Sequence, residues 1–537
     1  MEWRRKSFGG LPIRWLMRHP LDPRNRSAES VSAGMKAARL RAMELEPVWI
    51  KIARLQRRGK PRVLDVFAGC GGLSLGLQRA GFAILAGLDS DPHASRSYAL
   101  NFHGGCTSHA TSQDLTDPEV TPANVCMRLG LGPVAHAVDV VVGGPPCQAF
   151  ARIGRAKLRE IAGDPEAFLR DPRAGLHERW VAWVRELEPL AVLVENVPDA
   201  LTAGGRNIAE EIAVELDELG FTSRYTLLNT VHYGVPQTRE RMFLIGLRKE
   251  LGSAPEFPCP THSYEMPSGY EGIRRAIFRA LRSDDLFPVP YWQEPPRMAG
   301  ELRPAVTARQ AIGDLRPITS LRDGTLRGGS RRFDTPCGYR RGRPSAYARD
   351  MRGWPGFEAP GDGPRDHVIR YLPRDWPIFE RMRPGDEYPA AHQIAELLFQ
   401  EQLRTHRQAG HPVRKGTQAW QDLRRHIVPP YRVDGFPNKW WKLHPDRPSR
   451  TLMAHLGKDS YSHIHFDDHQ ARTISVREAA RLQSFPDGFV FVGAMNAAFR
   501  QIGNAVPPLL ALALGELLRE QLVGKSSLVS GGRSVAA

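Results

Sequence analysis

The sequence lacks any apolar run approaching the roughly 18 residues that a membrane-spanning helix needs. The charged start Met1-Glu-Trp-Arg-Arg-Lys has no apolar region behind it, so it does not read as a secretory signal. Both absences exclude a membrane partner and lead us to expect a cytoplasmic chain. Cysteine is sparse. The six (70, 106, 126, 147, 259 and 337) show no paired CxxC spacing, which argues against a disulfide framework or a zinc ribbon and for reduced thiols. Lysine is also scarce, supplying 11 of the 74 basic residues, and arginine carries the formal charge of +16. That excess suits a polyanionic partner such as nucleic acid. Arginine beside abundant Ala, Gly and Pro is equally what a GC-rich genome produces, so charge alone decides nothing. His455, His463, His465 and His469 come without cysteines or a ligand-spaced carboxylate set, and no metal is expected.

At 537 residues the chain is too long for one core and divides by pattern. Residues 1–60 read as a basic extension, with a helix near Ser30–Gln56 that packs on the core or touches nucleic acid. From 61 to 252, apolar strands alternate with amphipathic helices, as in a doubly wound sheet. The strands are read at Val63–Phe67, Phe82–Leu88, Val138–Val142, Leu190–Val194, Thr222–Leu228 and Met242–Leu247, and the helices at Leu73–Ala80, Leu176–Leu187 and Asn207–Leu219. Residues 253–448 lose the alternation and become rich in Pro, Gly, Arg and Trp, as at Arg331-Arg332, Arg340-Arg341-Gly-Arg343 and Phe436-Pro-Asn-Lys-Trp-Trp441. An irregular stretch this long is usually functional or disordered. Order returns over 449–523, where Ser475-Val-Arg-Glu478 fits a capping box and Leu509–Leu522 a helix; 524–537 is expected to be a disordered tail.

Chemistry-bearing residues cluster at the strand ends. The Gly-rich turn Ala68-Gly-Cys-Gly-Gly72 follows the first strand and opens a helix, so the backbone can approach a ligand closely. It has no Lys-Ser/Thr, which excludes a triphosphate loop. Asp89 closes the second strand, where an acid can accept from ribose hydroxyls, and Asp114 is a candidate partner for an adenine amino group. Gly143-Gly-Pro-Pro146 ends the third strand and presents Cys147, whose thiolate would be a nucleophile. Glu195 ends the neighbouring strand, completing a thiol and carboxyl pair in outline. Arg239 and Arg241 lie between the last two strands.

Together these residues resemble the DNA (cytosine-5)-methyltransferase family, over roughly 61–260 and 445–523 with the motifs in the family's order. The resemblance implies a Rossmann-like α/β sheet with helices on both faces, plus a smaller irregular target-recognition domain at 253–448. It implies S-adenosylmethionine as cofactor, held by Phe67, Ala68, Gly69, Cys70, Gly71, Gly72, Asp89, Ser90, Asp114, Leu115, Pro145, Asn504, Ala505 and Val506. Asp89 stands where the family more often has Glu. The catalytic thiol is Cys147 in Gly144-Pro-Pro-Cys-Gln148 and the acid is Glu195 in Glu195-Asn-Val. Gln237-Thr-Arg-Glu-Arg241 matches the motif of the catalytic arginine, giving Gln237, Arg239 and Arg241, with Arg239 expected to support the ring or Glu195. Ala151 departs from the Ser the family commonly carries there.

The activity implied by this resemblance is methylation of C5 of a flipped-out cytosine in double-stranded DNA. Such an enzyme is expected to act as a monomer near the nucleoid, in restriction-modification, phage defence or alone. An RNA (tRNA) methyltransferase on the same scaffold is the nearest alternative; the large variable region argues against it. Cys147 and Glu195 argue against a catalytically silent DNA-binding module, and Pro-Pro-Cys against an oxidoreductase.

Overall fold

β-Branched runs build one six-stranded sheet. The computed structural model describes residues 46–146, 175–202, 206–267, 290–326, 335–434, 439–457 and 461–524. Cys147, the loop containing Ala151, the arm before residue 46, Arg331-Arg332, residues 435–438 and the tail from 525 lie outside the described residues. The strands are β1 (Arg62–Val66), β2 (Ala83–Leu88), β3 (Val140–Gly143), β4 (Ala191–Asn196), β5 (Phe221–Asn229), the two-residue β6 (Gln237–Thr238) and β7 (Glu240–Arg248). β6 stands apart, and the other six run in the order β2-β1-β3-β4-β7-β5.

Alternation along each strand divides the side chains between two cores. Leu64, Val66, Val141, Val192 and Val194 face one core; Val63, Val140, Val142 and Leu193 face the other. Helices α1 (Pro47–Gln56), α2 (Gly72–Arg79), α3 (Pro92–Phe102), α4 (Leu176–Leu187) and α5 (Ile208–Glu218) surround the sheet. α4 and α5 cover the first face through Trp180, Val184 and Ile212. α1, α2 and the carboxy-terminal helix Pro508–Val523 cover the second through Leu55, Leu77 and Leu514. The result is a Rossmann-like α/β fold. Strict alternation stops at β5, because β7 runs antiparallel to both β4 and β5. Only residues 230–239 join β5 to β7, too few for the dozen-residue crossover a parallel partner requires.

The described end of the basic extension packs on the core. Lys51 of α1 is buried, donating to the carbonyls of Leu187 (3.0 Å) and Glu188 (2.7 Å) where α4 ends. Arg54 pairs with Asp139 at the root of β3.

The described residues of 253–448 are more ordered than their composition predicts. They hold β8 (His262–Ser263), β9 (Arg303–Pro304), helix α6 (Tyr388–Gln408), helix α7 (Gln418–Ile427) and short helices at Ala308–Ile312, Ala346–Arg352 and Trp376–Arg381. The cores do not divide at the expected boundaries. Ala308, Ile312, Met351, Trp354 and Phe357 share a core with Val476, Leu482, Phe485 and Ile502 of the returning chain. A separate core joins Ile369, Phe379, Tyr388, Phe399 and Trp440 to Tyr461, Ile464 and Ala471. β10 (Ser449–Arg450) pairs in parallel with β6, and α8 (Val476–Leu482), α9 (Met495–Asn504) and α10 (Pro508–Val523) follow. The apolar helical stretch Met495–Val523 is mostly buried and reads as core, with the extended residue Ala505 between its two helices.

Candidate active site

The Gly-rich turn is shaped by what presses on it. After β1 the chain enters the left-handed region at Phe67 (φ 67°), Gly69 (φ 56°) and Gly71 (φ 97°). A Cβ at Gly71 would lie 2.3 Å from Phe102, and one at Gly72 would lie 2.3 Å from the Val506 carbonyl oxygen. Gly69 faces open space instead. Its N–H donates to Asp89 Oδ2 at 2.9 Å, while Asp91 N–H donates to Oδ1 at 2.8 Å. Burial raises the Asp89 carboxyl above its ordinary value, and these two amides act against that. Each oxygen keeps acceptor capacity for a diol. Gln113 N–H donates to the Asp89 carbonyl at 2.9 Å, which carries the next loop alongside. Asp114 is exposed there, and Thr116 donates to its Oδ1 through N–H (2.9 Å) and Oγ1 (2.8 Å). Ser90 and Asn504 are exposed, and Ala505 and Val506 are buried against the turn.

An open glycine, a half-buried acid at the next strand end and the closing segment behind them fit an adenosyl group with a ribose. Two expected contacts differ in kind: the Cys70 and Leu115 side chains are buried in cores, so only their backbones can line such a site. Asp89→Ala is expected to raise the cofactor Kd about 10- to 100-fold, the loss of one or two charge-assisted hydrogen bonds. Isothermal titration would show it; an unchanged Kd removes the ribose assignment.

Beneath the turn lies Asp65, the first residue of the Asp65-Val-Phe-Ala-Gly-Cys-Gly-Gly72 motif. It is buried, accepts from Ser74 Oγ at 2.6 Å, and burial pushes its carboxyl up to about 7. A carboxyl raised in the folded state lends stability at acid pH that disappears as pH rises through about 7. Relative to Asp65→Asn, the wild-type chain should therefore lose unfolding free energy between pH 4 and pH 8, on the order of 4 kcal/mol. Urea unfolding of both chains would measure it, and parallel pH profiles would refute it.

The second half of the site forms where β3 and β4 end side by side. Gly143 passes so close to β1 that a Cβ would sit 1.9 Å from the Val66 carbonyl oxygen. Gly144 lies over Glu195, its virtual Cβ 3.1 Å from Oε2. Asn196 Nδ2 donates to the Pro145 carbonyl at 3.2 Å, fixing the chain two residues before Cys147. Arg241 Nε forms an ion pair with Glu195 Oε1 at 3.0 Å, with both side chains largely but not wholly covered. One oxygen of Glu195 is thus held by a cation, and the other faces the loop that leads to the thiol.

Arg239 and Gln237 are buried more deeply than this pair, and the charges of Arg241 and Glu195 act on the Arg239 guanidinium. The Arg239 guanidinium is buried and donates to the carbonyls of Leu452 and Gly503, both at 3.0 Å. Gln237 is also buried: its Oε1 accepts from Leu452 N–H at 2.8 Å, and its Nε2 donates to Gln483 Oε1 at 2.5 Å. Gln483 in turn donates to the Ala505 carbonyl at 2.6 Å. Both residues fasten the returning chain to the sheet.

The model of the C-5 cytosine-specific DNA methylase family matches residues 61–286 and 390–520. The chain belongs to this family. M.OihORF3336P of Oceanobacillus iheyensis is 35% identical over 472 residues, covering 86% of this chain and 96% of that one. The type II methyltransferase M.AgeI of Thalassovita gelatinovora is 31% identical over 483 residues, covering 85% and 99%. In fold, the methylase resembles the crystal structure of a prophage-encoded DNA modification methyltransferase (E. coli), with a TM-score of 0.52 at 20% identity over 86% of this chain and 99% of that one. It is thus a DNA cytosine-5 methyltransferase, and S-adenosylmethionine is the methyl donor its family implies.

The methylase also buries charge that its sequence does not betray. Arg472 forks onto Glu478 (2.7 Å twice), Arg477 onto Asp366 (2.6 and 3.0 Å), and Arg481 onto Asp487 (2.5 and 2.6 Å) with Asp314 at 3.3 Å. The histidines serve the same framework. Burial pushes His463 down to about 4 and His465 to about 3. His463 bonds to Ser462 Oγ and the Arg450 carbonyl, and His465 accepts from Asp467 N–H. Among the described residues no cluster is arranged to hold a metal ion.

Proposed function

We propose that this methylase modifies cytosine within a specific duplex sequence through a transient bond between Cys147 and C6 of an extruded base, as the modification half of a type II restriction system. The observation that carries the reading is Glu195 at the end of β4, held by Arg241 at 3.0 Å beneath the loop leading to Cys147. Cytosine C5 is a poor nucleophile until something adds at C6. The Cys147 thiolate adds there while Glu195 in its acid form donates to N3, and the charge that develops is absorbed beside Arg241. The bond formed to sulfur makes C5 electron-rich. Bound over Gly69 and Asp89, S-adenosylmethionine would supply an electrophilic methyl group. Loss of the C5 proton to base then expels the thiolate, and N3 returns its proton to Glu195, which restores the ring. C6 is inaccessible in a duplex, so the base must leave the stack; this costs a few kcal/mol, offset by phosphate and pocket contacts. Residues 253–448 would supply the base-edge contacts that choose the sequence.

The type II names of relatives matching along most of their length support the restriction-modification role. Bisulfite sequencing of DNA from cells expressing the chain should reveal one fully protected motif. Tritium transfer from labelled cofactor should favour duplex DNA over tRNA, and incorporation into tRNA alone would overturn the assignment.

A further inference from the structure

Residues 402–421 contain no Asp or Glu, yet carry Arg404, His406, Arg407, His411, Arg414 and Lys415. They form the tip of a helical hairpin. α7 folds back on α6, with Trp420 against Phe399 (ring centroids 5.3 Å) and Arg424 forked onto Glu396 at 2.5 and 2.7 Å. Lower on the hairpin, basic side chains are matched to acids. Arg381 forks onto Glu401 at 2.8 Å twice, and Arg425 lies 3.5 Å from Asp422. At the tip this matching stops. Arg404, Arg407, Arg414 and Lys415 are all exposed, and among the described residues no ion pair within 4.0 Å engages them. Arg404 feels Glu401 at a distance, but both oxygens of that carboxylate are taken by Arg381. A protein that pairs the cations of the stem and leaves four uncompensated at the end presents a local positive field to solvent.

The root of the hairpin is fixed beside the reaction centre. Glu387, the residue before α6, pairs with Arg450 of β10, and β10 lies on β6, which leads through Arg239 into Arg241. Tyr388 is buried, with its N–H on the Lys439 carbonyl and its hydroxyl on the Tyr431 carbonyl, both at 2.9 Å. α6 has 21 residues, so the tip stands roughly 30 Å from that root. Along a duplex this is about nine base pairs.

We propose that this tip grips the phosphate backbone of duplex flanking the recognition sequence, extending the footprint by most of a turn without reading bases. The proposal rests on the DNA-methylating function above. Exposed Arg and Lys lose little hydration on meeting phosphate, and they gain affinity by releasing condensed counterions, which is independent of sequence.

The test uses the full chain and a variant with Arg404→Gln, Arg407→Gln, Arg414→Gln and Lys415→Gln combined. Both are titrated against two duplexes carrying the protected motif centrally, one of about 12 and one of about 36 base pairs, so that only the longer reaches the tip. On the long duplex the variant should bind at least about 10-fold more weakly near 150 mM salt, with the log Kd against log salt slope reduced by about 3 to 4. On the short duplex the two chains should bind alike, and single-turnover methyl transfer at saturating DNA should be unchanged. Equal affinity of the two chains for the long duplex, or an equal loss on both lengths, would overturn the proposal. A wild-type chain that binds long duplex through the tip but methylates only tRNA would instead sink the functional reading and leave the hairpin assignment standing.

Discussion

Cys147→Ser is expected to stop methyl transfer, by roughly 10⁴-fold or more, while duplex affinity changes less than a few-fold. A serine hydroxyl has nearly the size of the thiol but is not appreciably ionised near neutral pH, so it can occupy the site without adding to C6. The surroundings of the loop root do not depend on that atom. Gly144 rests on Glu195 and Pro145 is held by Asn196, and both contacts survive the change. Duplex carrying 5-fluorocytosine at the target supplies the complementary measurement. Fluorine at C5 cannot leave as a proton does, so the wild-type chain should remain covalently attached in the presence of cofactor and the serine variant should not. Wild-type-like turnover by Cys147→Ser, or the absence of any adduct on the wild-type chain, would defeat the covalent reading.

The two arginines of Gln237-Thr-Arg-Glu-Arg241 should fail in opposite ways. Arg241→Ala removes the cation on Glu195, and turnover is expected to fall about 10²- to 10³-fold, the usual scale for one electrostatic stabiliser. The cost in folding stability should be about 1 kcal/mol, because the pair is partly solvated. Arg239→Ala strands the buried carbonyls of Leu452 and Gly503 and opens a void, so a loss of about 3 kcal/mol or more is expected. The turnover of its folded fraction should be much less affected than that of Arg241→Ala. Denaturant unfolding together with active-site titration by the fluorocytosine adduct separates the two effects. A stable Arg239→Ala chain with lost chemistry would reverse the assignment.

The reason these two differ bears on what a sequence discloses. Residues two apart on a continuous strand share a face, which invites treating Arg239 and Arg241 alike. The chain instead turns at Arg239, between β6 and β7, and that side chain enters the returning segment. Buried arginine also looks like surface arginine in a string of letters. Arg472, Arg477 and Arg481 are legible only as part of the net charge, because partners such as Asp366 and Asp314 become neighbours only after folding. Long apolar periodicity is far more informative. Helix α4 spans Leu176–Leu187 as its pattern predicts, and the Ser475–Glu478 capping box is present. Glu195 lies at its strand end because strand ends are set by where β-branched residues stop. α6 is hard to read because its inward face, Tyr388, Ala391, Ala395 and Phe399, is half alanine, a weak periodic signal in a stretch crowded with Pro, Gly and Arg.

The pairing of β6 with β10 means that the polypeptide departs and comes back at one doorway, with Gln237 opposite Ser449. That doorway encloses β7 and Arg241 as well as the irregular stretch, so an exchange of everything between β6 and β10 would carry part of the site away with it. The buried pairs set where such a splice can fall. A graft cut at residue 253 carries off Asp314 and Asp366 and abandons Arg481 and Arg477, whereas one confined between Asp366 and Ser449 keeps every one of those partners at home.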